Sequence, residues 1–398
     1  MLKLFIYLLV LILKFLIPRD KNLVVFGHRA GRRFGDNSRS LFFYLNKKVK
    51  TKKYIWITKD KSVLKNVKKM GYISHYYKSL SGFYFSIRAK WHIFDCTEGD
   101  INEPITKLSN NINLWHGVLF KKLKNHKDNP FTKIIFKLTN FFLKKYIVYP
   151  NRSYSKHLLS HFPNNKFKLV VSNSPRNIFM YNNSIKDLDY LKTSKEKRIS
   201  NYLIKSKKKV IGYFPTWRFD GMEIFPQKVN YSKFEELSKF LVKKNFLLVI
   251  KKHPNSFVED NHKLYNKKLE KVYKHLSLLK GFYLLDYDVD LNSIMHNCDL
   301  LISDYSGAIF DFLITKKPII LYTPDIKNYT VNPGLNFNLK KIKIGPIVKN
   351  IDTLINELKK FSKSSVTYKK KYEKNILKLK KKIFFDDECF KNIVKIIN

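Results

Sequence analysis

Residues 299–325 read DLLISDYSGAIFDFLITKKPIILYTPD. Leu300–Ser303 is a short apolar run without polar alternation, the pattern of a strand covered on both faces. Ser303-Asp304-Tyr305-Ser306-Gly307 then turns the chain into an apolar helical stretch, and Lys316-Lys317-Pro318 ends that stretch before a second apolar run, Ile319–Tyr322. Two buried strands joined by a helix form a βαβ unit and therefore belong to a parallel sheet.

Working outward, the same alternation recurs at Val210–Phe214, Phe246–Lys251 and Phe282–Leu285, and earlier at Leu23–Phe26, Tyr54–Thr58, Trp91–Phe94, Ile112–Trp115, Tyr146–Tyr149 and Leu169–Ser172. Between about Asn173 and Lys209 the apolar rhythm is lost, with Asn182-Asn183-Ser184 and the lysine-rich stretches Lys192–Arg198 and Lys205–Lys209, a linker-like composition. The expected fold class is α/β: two doubly wound, Rossmann-type domains facing a cleft. The expected organisation is residues 1–20 as a membrane-associating apolar helix, 21–180 as an N-terminal Rossmann-like domain, 205–360 as a C-terminal Rossmann-like domain and 361–398 as a helical segment.

A chain of 398 residues with 44% hydrophobic and 15% aromatic content can bury two cores of ordinary size and is not globally disordered. Its three cysteines, Cys96, Cys298 and Cys389, contain no CxxC pair, which argues against a disulfide framework or a structural zinc site. Lys and Arg number 78 against 31 Asp and Glu, so the formal net charge is +47. Such a field draws in polyanions or anionic membrane surfaces, although a lysine bias also simply solvates a surface. The opening MLKLFIYLLVLILKFLIPRDK is a nearly continuous apolar run broken by Lys14 and ended by Pro18. It is at the lower limit for spanning a bilayer, and Lys3 and Lys14 can snorkel from a helix lying in the interface; a span and a helix packed on the body are the other readings.

Ligands of open parallel sheets bind beyond the carboxyl ends of the strands. Four such ends carry chemistry. Leu114-Trp115-His116-Gly117 delivers a histidine to a strand end beside a glycine turn and the following Lys121 and Lys122, although a lone strand-end histidine is as often structural. Lys251-Lys252-His253-Pro254-Asn255 presents an imidazole and ammonium groups, with Pro254 barring helix at His253. In Ser303–Gly307, Ser306 caps a helix whose N–H groups and dipole suit a phosphate. Pro215-Thr216-Trp217-Arg218 ends in a guanidinium that can fork onto phosphate, while Trp217 lines a base pocket or packs in the core.

Other patterns fail. Gly27–Gly35, GHRAGRRFG, is neither a dinucleotide fingerprint nor a P-loop. Asp286-Tyr287-Asp288-Val289-Asp290 opens like a calcium loop, but Leu291 stands at the turn-glycine position and Asn297 at that of the bidentate Glu. No firm metal site is readable: no cofactor is assigned, and a divalent cation stays open as a reading without a site to place it in.

Taken together, Asn22–Leu45, Trp115–Leu123, Pro215–Arg218, Lys252–Asn255 and Asp299–Asp325 resemble, in order, the motifs of the CDP-glycerol glycerophosphotransferase family over roughly residues 22–350. The resemblance implies a GT-B fold at the cytoplasmic face of the cell membrane and a donor, CDP-glycerol or a related CDP-polyol. It also implies a lipid-linked or polymeric anionic acceptor, release of CMP, and catalytic importance for His116 and His253. Two departures from the family pattern, Val118 for Thr and Gly307 for the second Ser, bear on which polyol is transferred. On this reading His116 is the general base. His253, Lys252, Asn255, Arg218, Ser303, Asp304, Ser306 and Gly307 surround the donor phosphates, and Asp36, Asn37, Gly117, Lys121 and Lys122 are acceptor-side candidates. A nucleotide-sugar glycosyltransferase of the same fold is the rival reading; a specific nucleic-acid binder would have no need of the two histidines.

Overall fold

The computed structural model describes residues 2–123, 142–162, 167–181, 185–216, 218, 225, 230–251, 263–384 and 388–398. The first sheet contains β1 (Asp20–Phe26), β2 (Lys53–Thr58), β3 (Ser74–Tyr76), β4 (Ala89–Phe94), β5 (Asn111–Asn113), β6 (Lys145–Tyr149) and β7 (Lys168–Val171), in the spatial order 3-2-1-4-5-6-7. The second contains β8 (Lys209–Tyr213), β9 (Phe246–Lys251), β10 (Phe282–Leu285), β11 (Leu300–Ser303), β12 (Ile319–Tyr322) and β13 (Ile347–Val348), in the order 10-9-8-11-12-13. Every strand pairing within the two sheets is parallel. Central strands are buried along their apolar lengths because helices cover both faces: Leu23–Phe26, Ile55–Ile57, Leu248–Ile250 and Leu300–Ile302 have almost no exposure.

Three local expectations change. The strand expected at Ile112–Trp115 runs instead from Asn111 to Asn113, because Trp115 adopts φ +54° and its N–H is taken by the Asn113 side chain. The stretch read as a linker is largely helical. Ser194–Lys205 is a helix opened by a capping box between Thr193 and Glu196, and it buries Ile199 and Leu203. Short strands β3 and β13, unforeseen, flank the sheets as edges.

The chain passes from the first sheet to the second between residues 171 and 209 and returns at its end. After the helices Ile351–Lys363 and Ser365–Ile383, Phe390 stacks on Tyr44 at 4.0 Å between ring centroids, and the Asn392 side chain donates to the Val171 carbonyl of β7. This return fastens the two sheets to each other.

Helix α1 (Leu2–Leu16) has 15 residues, about 22 Å at the α-helical rise, against the roughly 30 Å of a bilayer core. Among the described residues no helix is long and apolar enough to cross a membrane. Tyr7, Val10, Leu13 and Ile17 pack on Phe83, Ile87, Ile105 and Leu108, while Phe5, Leu8, Leu11, Ile12 and Phe15 face outward, Phe15 with 91% of its surface exposed. Lys14 does not snorkel: its ammonium donates to Ser109 beneath the helix, and burial, with Arg19 nearby, lowers its pKa to about 7.

Candidate active site

Each sheet reverses its strand order once, between β1 and β4 and between β8 and β11, and a crevice opens beyond those strand ends. His28 leaves β1 and Asp95 leaves β4; the His28 Nδ1 lies 2.8 Å from Asp95 Oδ2, and both side chains are buried. Asp95 also accepts the Ser38 N–H at 3.0 and 3.1 Å, in the first turn of α2 (Asp36–Lys48), where a helix favours an anion. Burial opposes charge on His28, but the hydrogen bond and charge of Asp95, with Asp36 and Asp100, outweigh it and raise the pKa. Sequence reasoning passed over His28 because its loop lacks a phosphate-binding pattern; the available signal was the one that found His116, a histidine just past a strand.

His116 follows β5 in the same crevice. Its Nδ1 lies 3.4 Å from the Asp95 carbonyl and 3.8 Å from Cys96 Sγ, and its ring is open to solvent. Its backbone is held by a residue absent from the sequence-derived set, Arg176. One Arg176 nitrogen donates to the His116 carbonyl at 2.9 Å and to Asp311 Oδ2 at 2.8 Å, and the other donates to Asp36 Oδ1 at 2.7 Å. Gly117 has φ +112°, and a Cβ there would lie 2.4 Å from the same guanidinium, so both backbone conformation and close approach demand glycine. Asn37 completes the frame: its amide donates to the Trp115 carbonyl at 2.6 Å and its oxygen accepts the Arg176 N–H at 3.0 Å.

The electrostatics follow from this packing. Burial pushes the Asp36 carboxyl up, but Arg176, His28 and His116 outweigh it, so Asp36 stays ionised. For His116 the surrounding protein disfavours the imidazolium, and Arg176 adds to this against the opposing pull of Asp36. The exposed ring edge softens the effect without reversing it, and the result is an imidazole that is neutral at pH 7. A neutral, solvent-facing imidazole on a rigid loop, beside a fixed carboxylate, is equipped to accept a proton from a hydroxyl.

In the second crevice the structure commits the cation expected to bind phosphate. Arg218 forks onto Asp325, with Nε–Oδ2 2.7 Å and Nη2–Oδ1 3.1 Å, and pairs with Asp304 Oδ2 at 2.8 Å. Asp304 further accepts Thr216 N–H and O–H and the Tyr305 N–H, and the Ser303 hydroxyl donates to the Phe214 carbonyl. These three residues brace the β8 and β11 loops, and two carboxylates compensate the charge of Arg218. The helix after Gly307 has only six residues, Ala308–Leu313, and the Ser306 hydroxyl accepts the Ala308 N–H.

Gly307 lies at a seam between the two sheets. A Cβ on Gly307 would lie 3.1 Å from the Val118 carbonyl, so the two positions that depart from the family pattern adjoin each other. Lys121 bridges to Leu335, the Lys122 N–H donates to the Gly334 carbonyl, and Asn336 donates to the carbonyls of Leu119 and Lys121. Burial lowers the Lys121 pKa, with Asp304 and Arg218 close enough to act on it, which places this lysine toward the second crevice rather than on the acceptor side alone. Lys252, His253, Asn255 and Trp217 lie outside the described residues. Among the described residues no group of three or more His, Cys, Asp or Glu side chains could hold a metal ion.

The model of the family described as CDP-Glycerol:Poly(glycerophosphate) glycerophosphotransferase matches residues 9–396. A teichoic acid poly(glycerol phosphate) polymerase of Bacillus spizizenii is 28% identical over 94% of this chain and 90% of its own length. A teichoic acid glycerol-phosphate transferase of Staphylococcus aureus is 24% identical over 88% of this chain and 86% of its own. Among solved structures, the wall teichoic acid polymerase TagF superposes with a TM-score of 0.71 at 22% identity, covering 95% of this chain and 88% of that one, a likeness of fold.

Proposed function

The chain belongs to the CDP-glycerol:poly(glycerophosphate) glycerophosphotransferase family, and from that premise we propose that it moves glycerol phosphate from CDP-glycerol to the terminal hydroxyl of a teichoic-acid chain, with His116 as the base. The acceptor oxygen attacks the glycerol-bearing phosphorus of the pyrophosphate. Its proton passes to His116, the new P–O bond forms, and the bond to CMP breaks with its electron pair leaving on CMP. The observation that carries the assignment is the fastening of the His116 loop by Arg176 to Asp36 on one side and Asp311 on the other, which holds the imidazole rigidly at the meeting of the two sheets. Asp36 supports the imidazolium that forms during transfer.

The test is a donor screen with a glycerol phosphate-primed acceptor. CDP-glycerol should yield CMP together with chain extension. Extension from CDP-ribitol instead would reassign the polyol, and release of UDP from a UDP-sugar would favour the rival glycosyltransferase reading.

The same reading places the enzyme on the cytoplasmic face of the cell membrane. Support comes from the outward face of α1, a continuous apolar strip whose inward face is already satisfied by the body, with Arg19, Lys21 and Arg88 nearby to meet anionic headgroups. Because Tyr7 and Val10 are core residues, deletion of the helix would confound anchoring with folding. Leu8→Asp with Phe15→Asp in the full chain should abolish flotation with anionic vesicles while donor turnover in detergent persists. Unchanged flotation of the folded variant would refute the anchor.

A further inference from the structure

We propose that His28 is a second catalytic residue, whose Nε2–H donates to a non-bridging oxygen of the phosphate under attack while His116 takes the acceptor proton. The inference rests on the transferase reading above and adds a residue to that site. It starts from how two buried histidines of the first sheet are used. His92, on β4, spends both ring nitrogens inside the protein, Nδ1 with the Thr106 hydroxyl at 3.0 Å and Nε2 with the Ser86 carbonyl at 2.9 Å. His28 spends only one. Its buried Nδ1 faces Asp95 Oδ2 at 2.8 Å, whereas among the described residues no group hydrogen-bonds to its Nε2. A ring nitrogen left unspent on a side chain in a residue only 7% exposed is available to a ligand that enters the crevice.

The unspent edge lies where the two sheets meet. A Cβ on Gly35, just before α2, would sit 3.8 Å from His28 Cδ2 and Nε2 and 3.6 Å from Asp290 Oδ2, which follows β10 of the second sheet. Gly35 has φ −172°, a conformation open to any residue, so its missing side chain serves space rather than backbone freedom. His116 is anchored on the same residue as His28, with its Nδ1 3.4 Å from the Asp95 carbonyl. Both Nδ1 atoms are turned to Asp95, so both Nε2 edges are turned away from it. An acceptor hydroxyl held at His116 must come within bonding reach of the phosphorus, and the neighbouring imidazole then meets an oxygen of that same phosphate.

The proton inventory suits a donor. Burial opposes charge on His28, but Asp95, Asp36 and Asp100 raise its pKa. Burial in turn lifts the Asp95 carboxyl to about 7, with His28 pulling the other way. The pair therefore keeps one exchangeable proton at neutral pH. Whichever partner carries that proton, Nδ1 and Oδ2 share one hydrogen and the other sits on Nε2. Once the proton is lost, the remaining hydrogen stays between Nδ1 and the carboxylate, and Nε2 has nothing to donate. Donation from Nε2 offsets the charge on the phosphoryl oxygens during transfer; His28 keeps its hydrogen throughout, and the bonds made and broken are those given above.

The experiment uses the full chain. His28→Asn keeps a donor for Asp95 and lacks the Nε2 edge, whereas His28→Gln sets an amide near the place of Nε2 and gives up the bond to Asp95. His28→Asn should fold and turn over roughly 10²- to 10³-fold more slowly, the loss expected for one transition-state donor, and His28→Gln should retain more activity than His28→Asn. A mere brace between the strand ends predicts the reverse order. In the wild type, kcat should fall as rising pH strips the pair of its proton, and His28→Asn should lack that alkaline limb. Near wild-type turnover by His28→Asn, the reverse order of the two variants, or a wild type without the alkaline limb would overturn the proposal. Titration of inorganic pyrophosphate into wild type and His28→Asn keeps the question separate from the donor's identity, and the variant should bind it roughly tenfold more weakly. A wild type that releases no CMP from CDP-glycerol sinks the transferase reading; weaker pyrophosphate binding by the variant still upholds the phosphate contact in that case, and equal binding removes it.

Discussion

Replacing His116 by alanine is expected to lower turnover by about 10²- to 10⁴-fold, with donor affinity little changed, because a general base acts on the acceptor hydroxyl in the transition state and contributes little to binding the ground-state donor. The surroundings make the loss specific. Protein packed around the loop and Arg176 both disfavour the imidazolium, so His116 is unprotonated and ready at neutral pH. In the wild type, kcat/KM should accordingly hold its plateau to a pH below the ordinary imidazole value and fall only when His116 protonates. Asp36→Asn removes the charge that opposes this shift and should move the acid limb lower still. Stopped assays of CMP release across pH for the three proteins read both effects. A folded His116→Ala protein with near wild-type turnover, or an acid limb that ignores Asp36, would remove the base from this position.

The second large effect is expected at Arg176. Its guanidinium is buried and faces Asp36 and Asp311 at 2.7 and 2.8 Å, and it also holds the His116 carbonyl. Arg176→Gln leaves two carboxylates near each other without their cation, a change that costs about 3–5 kcal/mol when a buried pair is broken from one side. Chemical denaturation should show that loss. The second substitution Asp311→Asn should restore part of it by removing one of the stranded charges. Arg176→Lys keeps the charge but cannot span three acceptors with a planar fork, so it should stay folded and lose turnover more than donor affinity. An Arg176→Lys enzyme with unaltered kinetics would show that the frame around His116 is stability alone.

Much of the framework was legible because its signals are local. Leu23–Phe26 and Leu300–Ser303 are apolar without interruption, which only strands covered on both faces sustain, and the central strands of both sheets lie where such runs occur. The edge strands Ser74–Tyr76 and Ile347–Val348 are short and need no apolar run, so they left little trace. His116, Asp36 and Asn37 were visible as polar residues just beyond strands or at a helix start, and the structure gathers them into one crevice. Arg176 was not visible. It sits after Pro175 in a stretch of linker-like composition, and its partners Asp36 and Asp311 are 140 and 135 residues away.

Arg218 shows the complementary limit. As a cation at a strand end it met every sequence criterion for a phosphate ligand, yet Asp304 and Asp325 neutralise it. The sequence by itself determined two parallel α/β sheets and the strand ends at which chemistry gathers, because strand and helix periodicity is written in adjacent residues. That Arg176 and Arg218 are spent on carboxylates was decided only by the tertiary structure, because charge compensation acts through space over a few ångströms and joins residues more than a hundred positions apart.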